Sequence, residues 1–241
     1  MTIIPAIDII EGKCVRLTEG DFSRKKIYNE HPLEVALQFQ DAGLKRLHLV
    51  DLDGAKARQV KNWRVLETLA SKTSLVIDFG GGVTSQQDVN IIFNSGAALA
   101  TVGSVAISGP EEFERWLIAF GADRFLLGAD VRDKKIAING WLKDTAVGIY
   151  DFLAKYQAKG ITQAFCTDVS KDGKLEGPSL ELYKEIIDQF PDFDLVASGG
   201  VSTMSDLESL REIGCSGAIV GKAIYENRIS LRELSVFNYA K

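Results

Sequence analysis

The chain contains itself twice. Gly81-Gly82-Val83 returns as Gly199-Gly200-Val201, an offset of 118 from position 81 to position 199. Gly96 returns as Gly214, and Val102-Gly103 as Val220-Gly221, at the same offset. Asp51 is matched by Asp168 at 117 and Asp8 by Asp130 at 122. One glycine pair alone would be weak. Five landmarks at nearly one offset restrict the fold to two similar halves, about 1–122 and 123–241, within a single domain spanning 1–241.

Each half runs strand, turn, helix, repeatedly. The strands are short apolar runs rich in β-branched residues. They are Ile3–Ile7, Arg46–Val50, Leu75–Asp78 and Ala98–Val102 in the first half, and Phe125–Ala129, Ala164–Thr167, Leu195–Ala197 and Ala218–Val220 in the second. Pro32 and Pro110 open helices, Asn62 is placed to cap one, and Gly43, Gly96, Gly160 and Gly214 stand where helices should stop. Gly12 to Asn29 reads as a long polar loop, and Ile136–Ile138 as an extra β segment beyond strand five. Parallel strands need such helical crossovers. Eight units in 241 residues predict an α/β fold, a (β/α)8 TIM barrel with an internal half-barrel repeat, for which ~250 residues is typical. The alternative, a doubly wound open sheet, should carry one early GxGxxG turn, and the chain has none.

Composition excludes several classes of partner. With a net charge of −5, nothing points to nucleic acid or an anionic membrane surface. Three cysteines, far apart and without a CxxC, together with two isolated histidines, argue against a disulfide framework and against zinc. There is no signal-peptide pattern, and no apolar run approaches the ~20 residues of a membrane span. The expectation is a cytoplasmic, reduced monomer without metal or cofactor, acting on a small molecule.

In a half-barrel repeat, related residues lie opposite each other across the axis, and barrel sites are built at the C-terminal strand ends. Asp8 and Asp130 should therefore face one mouth from opposite walls. Gly81-Gly82 with Gly103-Ser104, and Gly199-Gly200 with Gly221-Lys222, form two sets of strand-end turns whose backbone N–H groups are suited to anions. Two such sets imply a ligand with a phosphate at each end. Two carboxylates between them imply acid–base chemistry, which requires one carboxyl protonated and the other ionised. The residues alone leave open which is which. Thr167, at the end of strand six, is placed to hydrogen-bond a carboxylate or the ligand. No Cys or His stands at a strand end as a rival nucleophile.

The segments IIPAIDIIEGKCVRLTEGD, HLVDLDGA, FGGGV, VGSVA, LGADVRD, TDVSKDG, ASGGVS and VGKAIY together resemble the histidine-biosynthesis isomerases acting on ProFAR (phosphoribosylformimino aminoimidazole carboxamide ribotide). The resemblance covers essentially the whole chain. It implies a metal-free and cofactor-free barrel that performs an Amadori rearrangement, from aminoaldose to aminoketose. It implies Asp8 as general base at C2, Asp130 as general acid at the ring oxygen, and Thr167 as helper beside Asp130. Gly81, Gly82, Gly103, Ser104, Gly199, Gly200, Gly221 and Lys222 would hold the phosphates. Arg16, Gly20, Asp51, Trp141 and Asp172 would contact substrate or close over it, with Trp141 stacking on the imidazole. The family often has arginine after Gly-Gly-Val, where this chain has Thr84; Arg16 or the Arg24-Lys25-Lys26 cluster would then supply the cation. Three alternatives remain: a dual-substrate isomerase also accepting phosphoribosyl anthranilate, the cyclase subunit of imidazole glycerol phosphate synthase, and a non-catalytic sugar-phosphate binder. The cyclase family usually has cysteine at the position of Ala6 and lysine in the first loop, so Ala6 and Arg16 oppose it.

Overall fold

The protein, seen here as a computed structural model, is described over residues 1–18 and 21–239. In chain order its elements are β1 (Thr2–Ile10), β2 (Lys13–Thr18), β3 (Asp21–Asn29), α1 (Pro32–Asp41), β4 (Arg46–Asp51), α2 (Leu52–Ala57), α3 (Trp63–Lys72), β5 (Val76–Gly80), α4 (Gln86–Asn94), β6 (Leu99–Val102), α5 (Ser104–Ser108) and α6 (Pro110–Phe120). A 3-10 turn at Ala122–Arg124 leads into β7 (Phe125–Arg132), β8 (Lys135–Ile138), β9 (Lys143–Gly148), α7 (Ile149–Gln157), β10 (Gln163–Asp168), α8 (Leu180–Gln189), β11 (Asp194–Ser198), α9 (Met204–Glu212), β12 (Gly217–Val220), α10 (Lys222–Tyr225) and α11 (Leu231–Tyr239).

Eight of the strands pair in parallel in the order β1-β4-β5-β6-β7-β10-β11-β12, and β12 returns to β1. The sheet is thus a closed (β/α)8 barrel, as the sequence predicts. Closure removes the free edges that an open sheet would expose.

The strands alternate strictly. Ile3, Ile7 and Ile9 of β1, Leu47 and Leu49 of β4, and Leu127, Ala129 and Val131 of β7 point outward into the layer packed against the helices. Ile4, Ala6, Leu126, Phe165, Val196 and Ile219 point inward and fill a small separate core along the axis. Both faces are packed mainly with apolar side chains, which is why the strands read as near-continuous apolar runs. Phe165 fills the axis, and a Cβ on Gly128 would stand 3.0 Å from its ring, so a side chain there would press on it.

The repeat is visible in local detail. Ser85 and Thr203 each close a capping box with the aspartate three residues on, Asp88 and Asp206. Two readings are corrected. Gly12 to Asn29 is not an irregular loop: β2 pairs antiparallel with β1 and then with β3, forming a hairpin over the barrel mouth. Asn62 stands at the start of α3 but makes no cap; its amide instead donates to Asp51 and Asp53. Strand β1 also continues to Ile10, two residues beyond Asp8. The three cysteines are free and buried. Among the described residues, no helix is long and apolar enough to cross a membrane.

Candidate active site

The alternation that packs the barrel also aims its chemistry. Continuing the inward-facing series Ile4, Ala6 brings Asp8 to the mouth, and the series Leu126, Gly128 brings Asp130. Both carboxylates line one cavity of about 480 Å³ at the C-terminal ends of the strands. Thr167 is the register partner of Asp130 on the adjacent strand and is only 4% exposed. Arg16, Gly81, Gly82, Gly103, Ser104, Trp141, Asp172, Gly199, Gly200, Gly221 and Lys222 line the same cavity.

The two aspartates differ in their partners. Burial raises the pKa of both above the ordinary carboxylate value, and the negative charge of Asp172 pushes each in the same direction. Against this, Asp8 is bonded by a cation: the Arg16 guanidinium donates to Asp8 Oδ2 from 3.0 Å. Asp130 has only neutral groups close beside it, the Trp141 indole and the Thr167 hydroxyl, both of which hold its pKa down. His48 opposes the rise at both. The environment therefore favours an ionised Asp8 over an ionised Asp130.

Arg16 reaches the site because the hairpin carries it there. Its second nitrogen lies 3.9 Å from Asp172, and a Cβ on Gly221 would meet Nη1 at 2.7 Å. The hairpin is held from outside by Lys26 and Tyr28, which both donate to Glu226, and by Tyr28 against Tyr225 at 4.8 Å. Lys25 pairs with Glu11, so Lys25 and Lys26 are committed away from the cavity. Gly20 lies outside the described residues.

The glycine turns have a second reason to be glycine. Gly81 and Gly200 have positive φ, +99° and +81°, and a Cβ would stand 2.1 Å from the Asp51 carbonyl oxygen and 2.2 Å from that of Gly177. Each turn is thus pressed against the preceding strand-end loop, in both halves alike. Asp51 belongs to this scaffold and is absent from the cavity lining. It is fully buried, accepting from the backbone N–H groups of Gly54, Lys61 and Asn62 and from the Asn62 amide. Its counterpart Asp168 accepts from Ser170 and Ser179. Trp141, expected to stack on a ligand ring, sits at φ +69° with its indole beside Asp130. Lys222 donates to the Gly173 carbonyl, and Ser104 Oγ accepts from the Asn139 N–H.

Several polar residues escaped the sequence reading. His48 lines the cavity from mid-strand and is paired with the buried Asp78, which also accepts from Thr101. Arg46 lies 3.7 Å from the other oxygen of Asp78. These are polar residues at inward positions of otherwise apolar strands, and that period-two pattern was the available signal. Arg58 also lines the cavity. Among the described residues, no group of three or more His, Cys, Asp or Glu side chains is arranged to hold a metal ion.

A closed barrel with two carboxylates in the cavity at its mouth, flanked by glycine turns in both halves, defines the class: a (β/α)8-barrel enzyme. The chain belongs to the histidine biosynthesis protein family, whose family model matches residues 2–230. It is 54% identical over 235 residues to a protein of Bacteroides thetaiotaomicron, and 53% identical over 237 residues to one of Flavobacterium psychrophilum, with 98% of each chain covered. A protein of Azobacteroides pseudotrichonymphae is 55% identical over 235 residues, again with 98% of each chain covered. All three relatives are named 1-(5-phosphoribosyl)-5-((5-phosphoribosylamino)methylideneamino) imidazole-4-carboxamide isomerase.

Proposed function

We propose that this protein is a ProFAR isomerase, opening the aminoaldose ring of its substrate and closing the reaction on an aminoketose by proton transfer alone. The observation that carries the reading is the unequal pair in one cavity, Asp8 bonded to the Arg16 guanidinium and Asp130 beside the neutral Trp141 and Thr167 side chains. Asp130, protonated, gives its proton to the ribose ring oxygen as the C1–O bond breaks, and the nitrogen lone pair forms the C1=N iminium. Asp8, ionised, removes the proton from C2, and the electron pair flows to C1=N to give the enolamine. Proton return to C1 with loss of the enol proton leaves the ketone. Thr167 and Trp141 orient Asp130, and the glycine turns hold the two phosphates through backbone N–H groups. The relatives' names support the substrate. The reading is of a cytoplasmic monomer needing neither metal nor cofactor.

The test is turnover of ProFAR by the purified protein with EDTA present, alongside phosphoribosyl anthranilate. Activity on ProFAR alone fits the reading. Activity on both makes the enzyme dual-substrate, and activity on neither from a folded protein sinks it. A bare sugar-phosphate binder would keep ligand affinity and show no loss of function when Asp8 or Asp130 is replaced by Asn.

A further inference from the structure

The two ends of the cavity are unequal in the cations that line them. At the end formed by Gly199, Gly200 and Gly221, Arg16 and Lys222 both line the wall. The opposite end, formed by Gly81, Gly82, Gly103 and Ser104, has the same backbone geometry but a carboxylate, Glu112, in its lining. A phosphate monoester carries about 1.5 to 2 negative charges near neutral pH. Glu112 is itself engaged by the Arg115 and Trp116 side chains, and without a further cation backbone dipoles alone would have to hold the phosphate there.

Among the described lining residues, Arg58 is the one arginine or lysine on that side. It terminates α2 in the left-handed conformation, φ +54°, its own N–H donating to the Gly54 carbonyl. Its carbonyl oxygen accepts from the Thr84 hydroxyl at 2.8 Å. Gly82 packs directly on the Gly54 and Gln59 backbone flanking this turn. The side chain is exposed, and no ion pair within the described protein engages it. Thr84 is the position at which the resembling family often carries arginine. Here a threonine at that site instead anchors the backbone of a different arginine, which stands over the same glycine turns.

We propose that Arg58 supplies the cation for the substrate phosphate bound at the Gly82–Gly103 end of the cavity, with Thr84 as the residue that positions it. A planar guanidinium is suited to bidentate contact with phosphate oxygens, so the role is one of binding and orientation, remote from the reacting carbons. The inference rests on the bisphosphate isomerase reading above.

The experiment compares the parent with Arg58→Gln, Arg58→Lys, and the double variant Arg58→Gln/Thr84→Arg in steady-state turnover of ProFAR. Arg58→Gln should raise KM by about 10- to 100-fold, the range of a hydrogen bond to a charged group, with kcat little changed. Arg58→Lys should fall between, and the double variant should recover much of the KM, a rescue that a merely structural role for Arg58 would not give. An active parent whose KM is unmoved by Arg58→Gln overturns the assignment and leaves the isomerase reading intact. An inactive parent sinks the isomerase reading, and protection by inorganic phosphate against thermal unfolding then decides Arg58 by itself. A smaller rise in Tm for Arg58→Gln supports the site, and an equal rise overturns it.

Discussion

Replacing Gly81 by alanine separates two costs that are usually confounded. Gly81 has φ +99°, and its Cβ would stand 2.1 Å from the Asp51 carbonyl oxygen. Gly12 has a similar φ, +75°, with nothing within 4 Å of its Cβ position. Both substitutions incur the left-handed penalty of an L-residue, about 1–2 kcal/mol, and both gain equally from a stiffer unfolded chain. Only Gly81→Ala must also push apart two backbones by more than an ångström, and Asp51 cannot give way because four hydrogen bonds fix its carboxylate. Overpacking of that kind costs about 1–3 kcal/mol. In a chain of this size 1 kcal/mol is worth about 2–4 °C in Tm. Gly81→Ala should therefore melt about 2–12 °C below Gly12→Ala, by circular dichroism at one scan rate. Its kcat/KM for ProFAR should fall too, since the displaced turn lines the cavity and is the floor of one phosphate site in the proposed function. Equal melting temperatures would refute the close-approach argument.

Other expectations follow from the electrostatics. Asp8→Asn and Asp130→Asn should each lose about 10²–10⁴ in kcat with native circular dichroism, and a rate within threefold of the parent would remove that residue from the mechanism. Arg16 lowers the pKa of Asp8; Arg16→Gln should raise it, so activity on the acid side of the kcat/KM profile is lost at higher pH than in the parent. A limb that stays in place or moves down contradicts the pairing. The Trp141 hydrogen bond lowers the pKa of Asp130; Trp141→Phe should move the alkaline limb upward, because the acid then keeps its proton to higher pH. Asp78 raises the pKa of His48, so in Asp78→Asn the His48 ring should titrate at lower pH by NMR, and an unchanged titration would show that the buried carboxylate does not govern it.

The barrel was legible because both of its faces are mainly apolar and helices with recognisable punctuation separate its eight parallel strands. Asp8 and Asp130 were legible because the repeat, not either residue alone, placed them across one mouth. The hairpin β2–β3 was not: charged and polar residues such as Lys13, Arg16, Thr18 and Asp21 interrupt it, so no apolar alternation marks it as strands. Strand β9 has mostly exposed or partly exposed residues and was missed for the same reason. Helices α2, α5 and α10 span only 6, 5 and 4 residues, too short for periodicity to register. Asp51 illustrates the opposite error. Like Asp8 it follows an apolar run, but β4 ends with Asp51 on the outward parity, and there its oxygens meet backbone N–H groups in place of a cavity. Arg58 could not be read at all, because its position depends on a left-handed helix end fixed by a hydroxyl 26 residues away.

The pairing of Arg16 with Asp8, beside Gly221, makes proton binding and anion binding two sides of one equilibrium. An anion seated on the Gly221 turn shares the guanidinium with Asp8 and weakens its hold on that carboxylate. The proton affinity of Asp8 then rises, so the anion arrives with partial uptake of a proton, and by reciprocity its affinity weakens as the pH climbs. Calorimetric titration with inorganic phosphate in buffers of different ionisation heat would register that proton. Occupancy of a distal phosphate would thus be felt at C2 as a stronger base.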